Sequence, residues 1–336
     1  MGFSLSEVVG YWLSVVSCGF LLSLRFDKIA SFLKIQKHTF SEVVNTPLRF
    51  ENPYSIEVFI KREDAIHPYI SGNKYRKLKY NILEAQRLDH STLLTFGGAF
   101  SNHIAAVASV GQLYGFKTIG VIRGEELAEA SNPTLDFAKA CGMQLYFVSR
   151  EAYQKKDDVF FLKTFSQKFG NFYVLPEGGM NALAVKGCEE ILTEQDAKFD
   201  YTCCAVGTGG TISGLINSSL PHQKVLGFPA LKGDFLREEI AKFAHKLHWD
   251  LVTDYHFGGY AKISLELISF INRFKDAYGI PLDPVYTGKM LFGVFDLIEK
   301  GYFPRQSKVL VIHTGGLQGI AGMNAILKQK KLPLIR

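Results

Sequence analysis

The chain has 336 residues, enough for two or three domains and a sizeable core. With 47% hydrophobic and 21% charged residues it has the make-up of an ordinary globular protein, which excludes wholesale disorder and a polytopic membrane protein. The net charge of +6 is scattered in single residues and short pairs, so no basic block marks a nucleic-acid surface. The 5 cysteines lack CxxC or Cys/His zinc spacing, which speaks for a reducing, cytosolic setting and no metal site.

In chain order the first feature is an uncharged run from Val8 to Leu24, near the lower length limit for a membrane span. Only Glu7 is charged ahead of it, which disfavours a secretory signal. A membrane-anchoring helix, with Arg25, Lys28, Lys34 and Lys37 held on the cytoplasmic side, is the minor reading. An extra buried helix or an upstream start codon is the favoured one, because Ser, Gly and Cys dilute the run. Residues 1–35 are therefore set apart as an apolar extension.

Beyond Thr39 the pattern alternates. Residues 55–64 read as a strand, 73–87 as a helix, 91–96 as a strand, 102–114 as a helix and 117–122 as a strand. Asn132 is a candidate N-cap with Pro133 at the first helical position and Gly142 at the exit. Strand 143–148, helix 151–169 and strand 171–176 follow, then a helix from Asn181 to about Gln195 and a buried strand over 201–206. A helix from Ile212 and strands over 224–230 and 308–316 complete the series. Such βαβ alternation predicts an α/β fold with two open, twisted, mostly parallel sheets flanked by helices. The active site then belongs in the cleft between them, at the carboxyl ends of strands.

Glycine-rich turns are where chemistry can sit. Gly207, Thr208, Gly209, Gly210 and Thr211 follow a buried strand and open a helix, so backbone N–H groups and a positive helix end converge as they do around a phosphate. No Lys-Ser/Thr closes a Walker loop, and Ile212 stands where a dinucleotide fingerprint needs its third glycine. A second turn, Gly97 to His103, has Ser101 as candidate N-cap with Asn102 and His103 in the first helical turn. It suits a carboxylate as well as it suits ordinary capping. The third element is Lys74, which follows Ser71, Gly72 and Asn73 at the start of a helix, where its charge opposes the helix dipole. A lysine disfavoured as a cation is easier to hold as a neutral amine for Schiff-base chemistry, although a solvated lysine is an equal reading. Lys77 and Lys79 read as surface charges, with Lys77 one turn from Lys74 on the same face.

The strings SGNKYRKL, TFGGAFSNH, AVGTGGTISG, DPVYTGK and IHTGG, in this order, resemble the pyridoxal-phosphate enzymes of the tryptophan-synthase-β fold type, in the branch of D-cysteine desulfhydrase and 1-aminocyclopropane-1-carboxylate (ACC) deaminase. The resemblance runs from about Val44 to the C-terminus. It implies a large cofactor-binding domain of residues 36–78 and 182–336, a small α/β domain of residues 79–181, and a homodimer. Lys74 would form the Schiff base with pyridoxal 5'-phosphate, Gly207 to Thr211 would hold the phosphate, Lys77 would add a phosphate contact, and Asn102 would lie near the ring hydroxyl. Ser101, with Asn102 and His103, would receive the carboxylate of a small amino-acid substrate. Tyr286 would reach over the reacting carbon, and Thr314 and Gly315 would border ring or substrate. The freed Lys74 would serve as base for the α-proton.

One position separates the two activities. ACC deaminases of this group carry Tyr-Glu-Gly-Lys where this chain has Tyr286-Thr287-Gly288-Lys289, and by the resemblance Thr287 faces the pyridine nitrogen. A carboxylate there supports a protonated ring and a deep electron sink, a hydroxyl a neutral ring and a shallower one. ACC lacks an α-hydrogen and needs the stronger sink, so Thr287 favours a lyase that eliminates thiol from D-cysteine, giving pyruvate, ammonia and hydrogen sulfide. ACC deamination to 2-oxobutanoate and ammonia is the alternative. The D preference comes from the resemblance alone, and β-chloroalanine, L-cysteine and D-serine stay open as substrates. A catalytically silent, membrane-anchored binding protein is the reading from another class, disfavoured by intact Lys74 and phosphate loop. His256 to Tyr260 resembles a pocket-lining loop of this group but equally reads as a plain glycine turn. His245 and His248, without a carboxylate nearby, read as a solvated helix face.

Overall fold

The computed structural model describes residues 41–128, 132–233 and 235–336. The expectation for residues 8–24 lies outside the described residues; among those described, no helix is long and apolar enough to cross a membrane. The elements in chain order are β1 (Asn45–Leu48), β2 (Glu57–Lys61), α1 (Asn73–Arg87), β3 (Thr92–Gly97), α2 (Asn102–Tyr114), β4 (Lys117–Arg123) and α3 (Pro133–Ala140). Then come β5 (Gln144–Val148), α4 (Arg150–Tyr153), α5 (Val159–Phe169), β6 (Tyr173–Leu175), α6 (Ala182–Glu189), β7 (Tyr201–Val206) and α7 (Gly210–Ser218). The series ends with β8 (Lys224–Pro229), α8 (Phe235–Ala241), β9 (Trp249–Leu251), α9 (Leu265–Tyr278), α10 (Thr287–Glu299), β10 (Lys308–Ile312) and α11 (Gly319–Gln329).

Two sheets form, as the alternation implies. The larger has the order β1-β2-β10-β7-β8-β9, with only β1 antiparallel to its neighbour, and the smaller, β5-β4-β3-β6, is parallel throughout. Every residue of β3 is buried, and so are five of the six in β7. Strands covered on both faces read as continuous apolar runs and not as alternation, which is why Thr92–Gly97 and Tyr201–Val206 stand out in the sequence. Each sheet has a core on either face. Val58, Ile60 and Val311 pack with α9 and α10 on one side of the larger sheet, and Cys204, Val206 and Ile312 pack with α7 on the other. Leu93 and Ile122 face α1 and α2 in the smaller sheet, while Leu94, Phe96 and Val121 face Phe165 of α5. The four cysteines described are free thiols.

Local signals set several boundaries. Ser101 accepts the Ile104 N–H at the start of α2, and Asn132 accepts those of Thr134 and Leu135 ahead of Pro133. Three helical readings differ from expectation: α8 ends at Ala241, so His245 and His248 are exposed as expected but do not share a helix face. The stretch expected as one helix over 151–169 is two, because Asp158 turns out of the helix and accepts the N–H groups of Phe160 and Phe161, starting α5 anew. The helix expected to reach Gln195 ends at Glu189. Thr193 and Asp196 instead close a reciprocal capping box, and Asp196 is held by Lys61 at 2.7 Å, tying this turn to β2. The sequence pattern does not single out β1, β9, α8, α9, α10 or α11.

The four strands of the smaller sheet fall between residues 92 and 175. We propose the corresponding division into a small unit of residues 79–181 and a large one built from 36–78 and 182–336. Helix α1 runs unbroken across the 78/79 position and contributes Leu78 and Ile82 to the core of the smaller sheet.

Three helices carry the site and are registered by glycine. A Cβ at Gly187 of α6 would stand 1.9 Å from the Arg76 carbonyl oxygen of α1, and one at Gly214 of α7 would stand 2.5 Å from the Cys188 Cβ of α6. Backbones therefore meet almost directly, and α1 and α7 are locked on either side of α6.

Candidate active site

Four turns at the carboxyl ends of strands converge: 97–102 after β3, 176–179 after β6, 207–210 after β7 and 313–316 after β10. Lys74 lies in the first turn of α1, and its Nζ donates to the Gly178 carbonyl at 3.3 Å. Burial, reinforced by the neighbouring Lys77 charge, holds the Lys74 amine well below its ordinary value, so it sheds its proton far more readily than a surface lysine.

Lys77 overturns the surface reading. It is 2% exposed, and its Nζ reaches the Gly178 carbonyl at 3.0 Å and the Thr208 hydroxyl at 3.5 Å. A Cβ at Gly210 would lie 3.4 Å from that nitrogen, so the ammonium is aimed at the loop expected to hold a phosphate. Lys79, by contrast, pairs with Glu190 at 2.7 Å away from the turns. Asn73 donates to the Thr211 hydroxyl at 2.8 Å, fastening the start of α1 to the start of α7. The turn Glu177-Gly178-Gly179, whose carbonyl takes both lysines, escaped the sequence reading. A Gly-Gly pair straight after strand residues was its available signal.

On the other side, Ser101 Oγ accepts the Ile104 N–H at 3.3 Å, while Asn102 Oδ1 is buried with no hydrogen-bond partner. A Cβ at Gly316 would stand 3.0 Å from Asn102 Nδ2 and 3.7 Å from Asp283 Cγ, which brings the turn after β3 to the turn after β10. Thr314 meets the start of α1 from the same strand end, its carbonyl accepting the Asn73 N–H at 3.4 Å, with Gly315 beside Ser71. Tyr286 packs over Gly207, where a Cβ would lie 3.1 Å from its Cε1. Burial and its hydrogen-bonded neighbour Tyr260 raise the Tyr286 phenol well above the ordinary value, which keeps it protonated.

Two expected residues are placed differently from their neighbours. The His103 ring is 2% exposed and turns toward Gly179, whose Cβ would stand 3.1 Å from Cε1. Burial and the charges of Lys74 and Lys77 keep it neutral. Thr287 is fully buried with its hydroxyl already engaged: it donates to Asp283 Oδ2 at 2.7 Å and accepts the Asp283 N–H at 3.1 Å. The same carboxylate accepts the N–H groups of Val285, Tyr286 and Thr287, so Asp283 caps the start of α10 and orients Tyr286. Burial still pushes its carboxyl upward against these donors.

A lysine poised as an amine beside an anion cradle, both among turns at the carboxyl ends of two mostly parallel sheets, is the equipment of an enzyme that handles amino groups through a phosphorylated aldehyde. The chain belongs to the family of pyridoxal-phosphate dependent enzymes, whose model matches residues 40–315. A Thermotoga maritima protein provisionally named 1-aminocyclopropane-1-carboxylate deaminase is 33% identical over 301 residues, 82% of this chain and 95% of its own. The mitochondrial bifunctional D-cysteine desulfhydrase/1-aminocyclopropane-1-carboxylate deaminase of Arabidopsis thaliana is 30% identical over 328 residues, 87% of this chain and 81% of its own. Among solved structures, one described as an ACC deaminase homologue superposes with a TM-score of 0.73 at 26% identity, covering 89% of this chain and 98% of that one. A hydrogen sulfide-producing enzyme from Fusobacterium nucleatum shares the fold, with a TM-score of 0.62 at 15% identity and coverage of 84% and 98%. The chain is thus an enzyme of the ACC deaminase and D-cysteine desulfhydrase group, of fold type II, and its cofactor is pyridoxal phosphate.

The residues present fit that cofactor. The N–H groups of 207–211, the α7 N-terminus and Lys77 Nζ would supply phosphate donors, and Lys74 would supply the amine. Asn102 has a buried amide oxygen awaiting a partner, and its amide can present either end to a ring hydroxyl.

Proposed function

We propose that the protein eliminates thiol from D-cysteine or a related small amino acid, converting D-cysteine and water to pyruvate, ammonia and hydrogen sulfide. The observation that carries this reading is the uncharged Thr287 at the second position of Tyr-Thr-Gly-Lys, where the ACC deaminases that the sequence resembles carry a carboxylate. When bound, pyridoxal phosphate draws electron density away from the substrate's α-carbon. The protein does the rest. Ser101 and the backbone N–H groups opening α2 seat the substrate carboxylate, and Lys74 Nζ takes the α-proton, burial holding it as a neutral amine to lower pH than a surface lysine. Tyr286, kept as a phenol, donates a hydrogen bond to the departing sulfur, which leaves as hydrosulfide. The aminoacrylate released hydrolyses to pyruvate and ammonia. A reducing compartment suits a chain whose described cysteines are all free thiols, and we propose a cytoplasmic homodimer.

ACC deamination is the second reading, favoured by Asp283. Because the Thr287 proton is held by a carboxylate, this hydroxyl presents a lone pair and not a donor to whatever faces it, which is closer to a carboxylate's effect than an isolated threonine would be. Pyruvate release from D-cysteine and 2-oxobutanoate release from ACC, measured side by side on cofactor-loaded protein, tests the two. Turnover of D-cysteine alone supports the elimination reading, and turnover of ACC alone overturns it.

Thr287→Glu is expected to shift the rate ratio toward ACC. It should also cost about 2 kcal/mol of stability, because a second carboxylate would enter a buried site against Asp283 and the Asp283 N–H would lose its acceptor. Thermal unfolding reads the second effect and the paired assay the first. An unchanged ratio in the folded variant removes Thr287 as the discriminating residue.

A further inference from the structure

Lys289 is a lysine where the core has little room for one. It is 2% exposed and among the largest fully buried side chains of the described residues. Its Nζ crosses from α10 to a neighbouring loop and donates to the carbonyls of His256 and Gly259, both at 2.8 Å. Burying an ammonium is costly unless it is hydrogen-bonded, so a buried lysine whose two partners are carbonyls three residues apart holds that loop in one shape. The loop needs holding. Phe257 and Ala261 have positive φ of 52° and 55°, a region that side chains rarely adopt, and Gly258 and Gly259 between them are left-handed as well. The loop ends in Tyr260, which is 51% exposed and therefore not held by burial, yet stands edge-on to Tyr286 with ring centroids 6.2 Å apart.

We propose that Lys289 is a positioning residue of the active site: by clamping loop 256–260 to α10 it sets where Tyr260 stands on Tyr286, and so shapes the side of the site that receives the substrate. This inference rests on the placement of Tyr286 in the reaction given above.

The test compares wild type, Lys289→Met, Tyr260→Ala and the double variant. The substrate is whichever of D-cysteine and ACC the wild type turns over, so a failure of the D-cysteine reading leaves the experiment intact. Lys289→Met is expected to raise KM about tenfold with kcat and cofactor affinity little changed, since two charge-assisted hydrogen bonds to the loop are lost and none near Lys74 is touched. In the Tyr260→Ala background the same substitution should change KM less than about twofold, because residues acting through one another are not additive. Chymotryptic cleavage after Phe257 or Tyr260 in cofactor-free protein should speed up about tenfold with Lys289→Met, independently of any turnover. Should Lys289→Met fail to fold, Gly258→Ala strains the same loop from its exposed side, with no atom within 3.6 Å of the added Cβ, and should show the same dependence on Tyr260. Equal KM effects in both backgrounds, or unchanged cleavage, would overturn the proposal.

Discussion

Lys74→Ala is expected to lower product release by about 10³-fold or more, the scale of removing a group with the two roles proposed for it, handling the substrate amine and moving its α-proton. The environment explains why no neighbour can substitute. Lys77 is the next amine along α1, but it points to Thr208 and Gly210 in the phosphate loop. The variant should remain folded, because Lys74 makes a single 3.3 Å hydrogen bond and its removal relieves a like-charge contact with Lys77. Absorption of cofactor-loaded protein in the visible range, present in wild type and changed in the variant, checks the assignment without turnover; full activity in Lys74→Ala would sink it. The lowered proton affinity gives a pH dependence with a definite sign. Cofactor uptake should slow as pH falls through the depressed value, where the amine becomes an ammonium. The unfolded chain binds this proton more tightly than the folded one, so cofactor-free protein should gain stability as pH rises from the depressed value toward the ordinary 10.5. Lys74→Ala should lack that share of the gain.

The second large effect lies two residues earlier. Gly72 has φ 58° and ψ −140°, a conformation reserved for glycine, and a Cβ there would stand 2.0 Å from the Thr314 carbonyl oxygen. Both obstacles are backbone, so nothing can rotate aside. Gly72→Ala is expected to cost about 3 kcal/mol or more, strain and overpacking together, and to push α1 off the turn after β10 with a matching fall in cofactor affinity. Gly142→Ala is the control. Its φ is 85° but the added Cβ meets nothing within 4 Å, so only the strain of about 1 kcal/mol remains and the cofactor is untouched. Denaturant melts and cofactor titrations of the two variants separate the contributions; equal losses would mean that Thr314 can yield.

Much of this site could be read from the chain because its parts are local. The helix over 73–87, the cap at Ser101 and the strand ahead of Gly207 each depend on residues within a few positions, and the structure has them at nearly the expected bounds. What escaped depends on partners distant in sequence. Lys77 reads as a solvated charge because the glycines that admit it, Gly178 and Gly210, lie more than a hundred residues on. Thr287 could be singled out by its neighbours in the motif, but not the direction of its hydroxyl, since Asp283 binds it only once the turn into α10 has closed. Asp283 itself looks like a turn residue beside Pro284. Lys289 looks like the tail of a motif until the loop from 256 crosses it. The split between α4 and α5 shows the opposite case, a short-range cap at Asp158 hidden inside a run of charges that helix periodicity alone passes over.

The glycine contacts that register α1, α6 and α7 bear on how such a site can change over generations. Because Gly187 touches the Arg76 carbonyl and Gly214 touches Cys188 with no side chain between, the spacing of Lys74 from the phosphate loop is fixed by main chain on main chain. No substitution can adjust that spacing by small steps, and any larger residue breaks it outright. The turns at 97–102 and 256–260 carry no such lock. Random mutagenesis for new substrates should therefore find its improved variants there and almost none along the three helices, so that one amine and one anion cradle stay constant while the choice of substrate drifts around them.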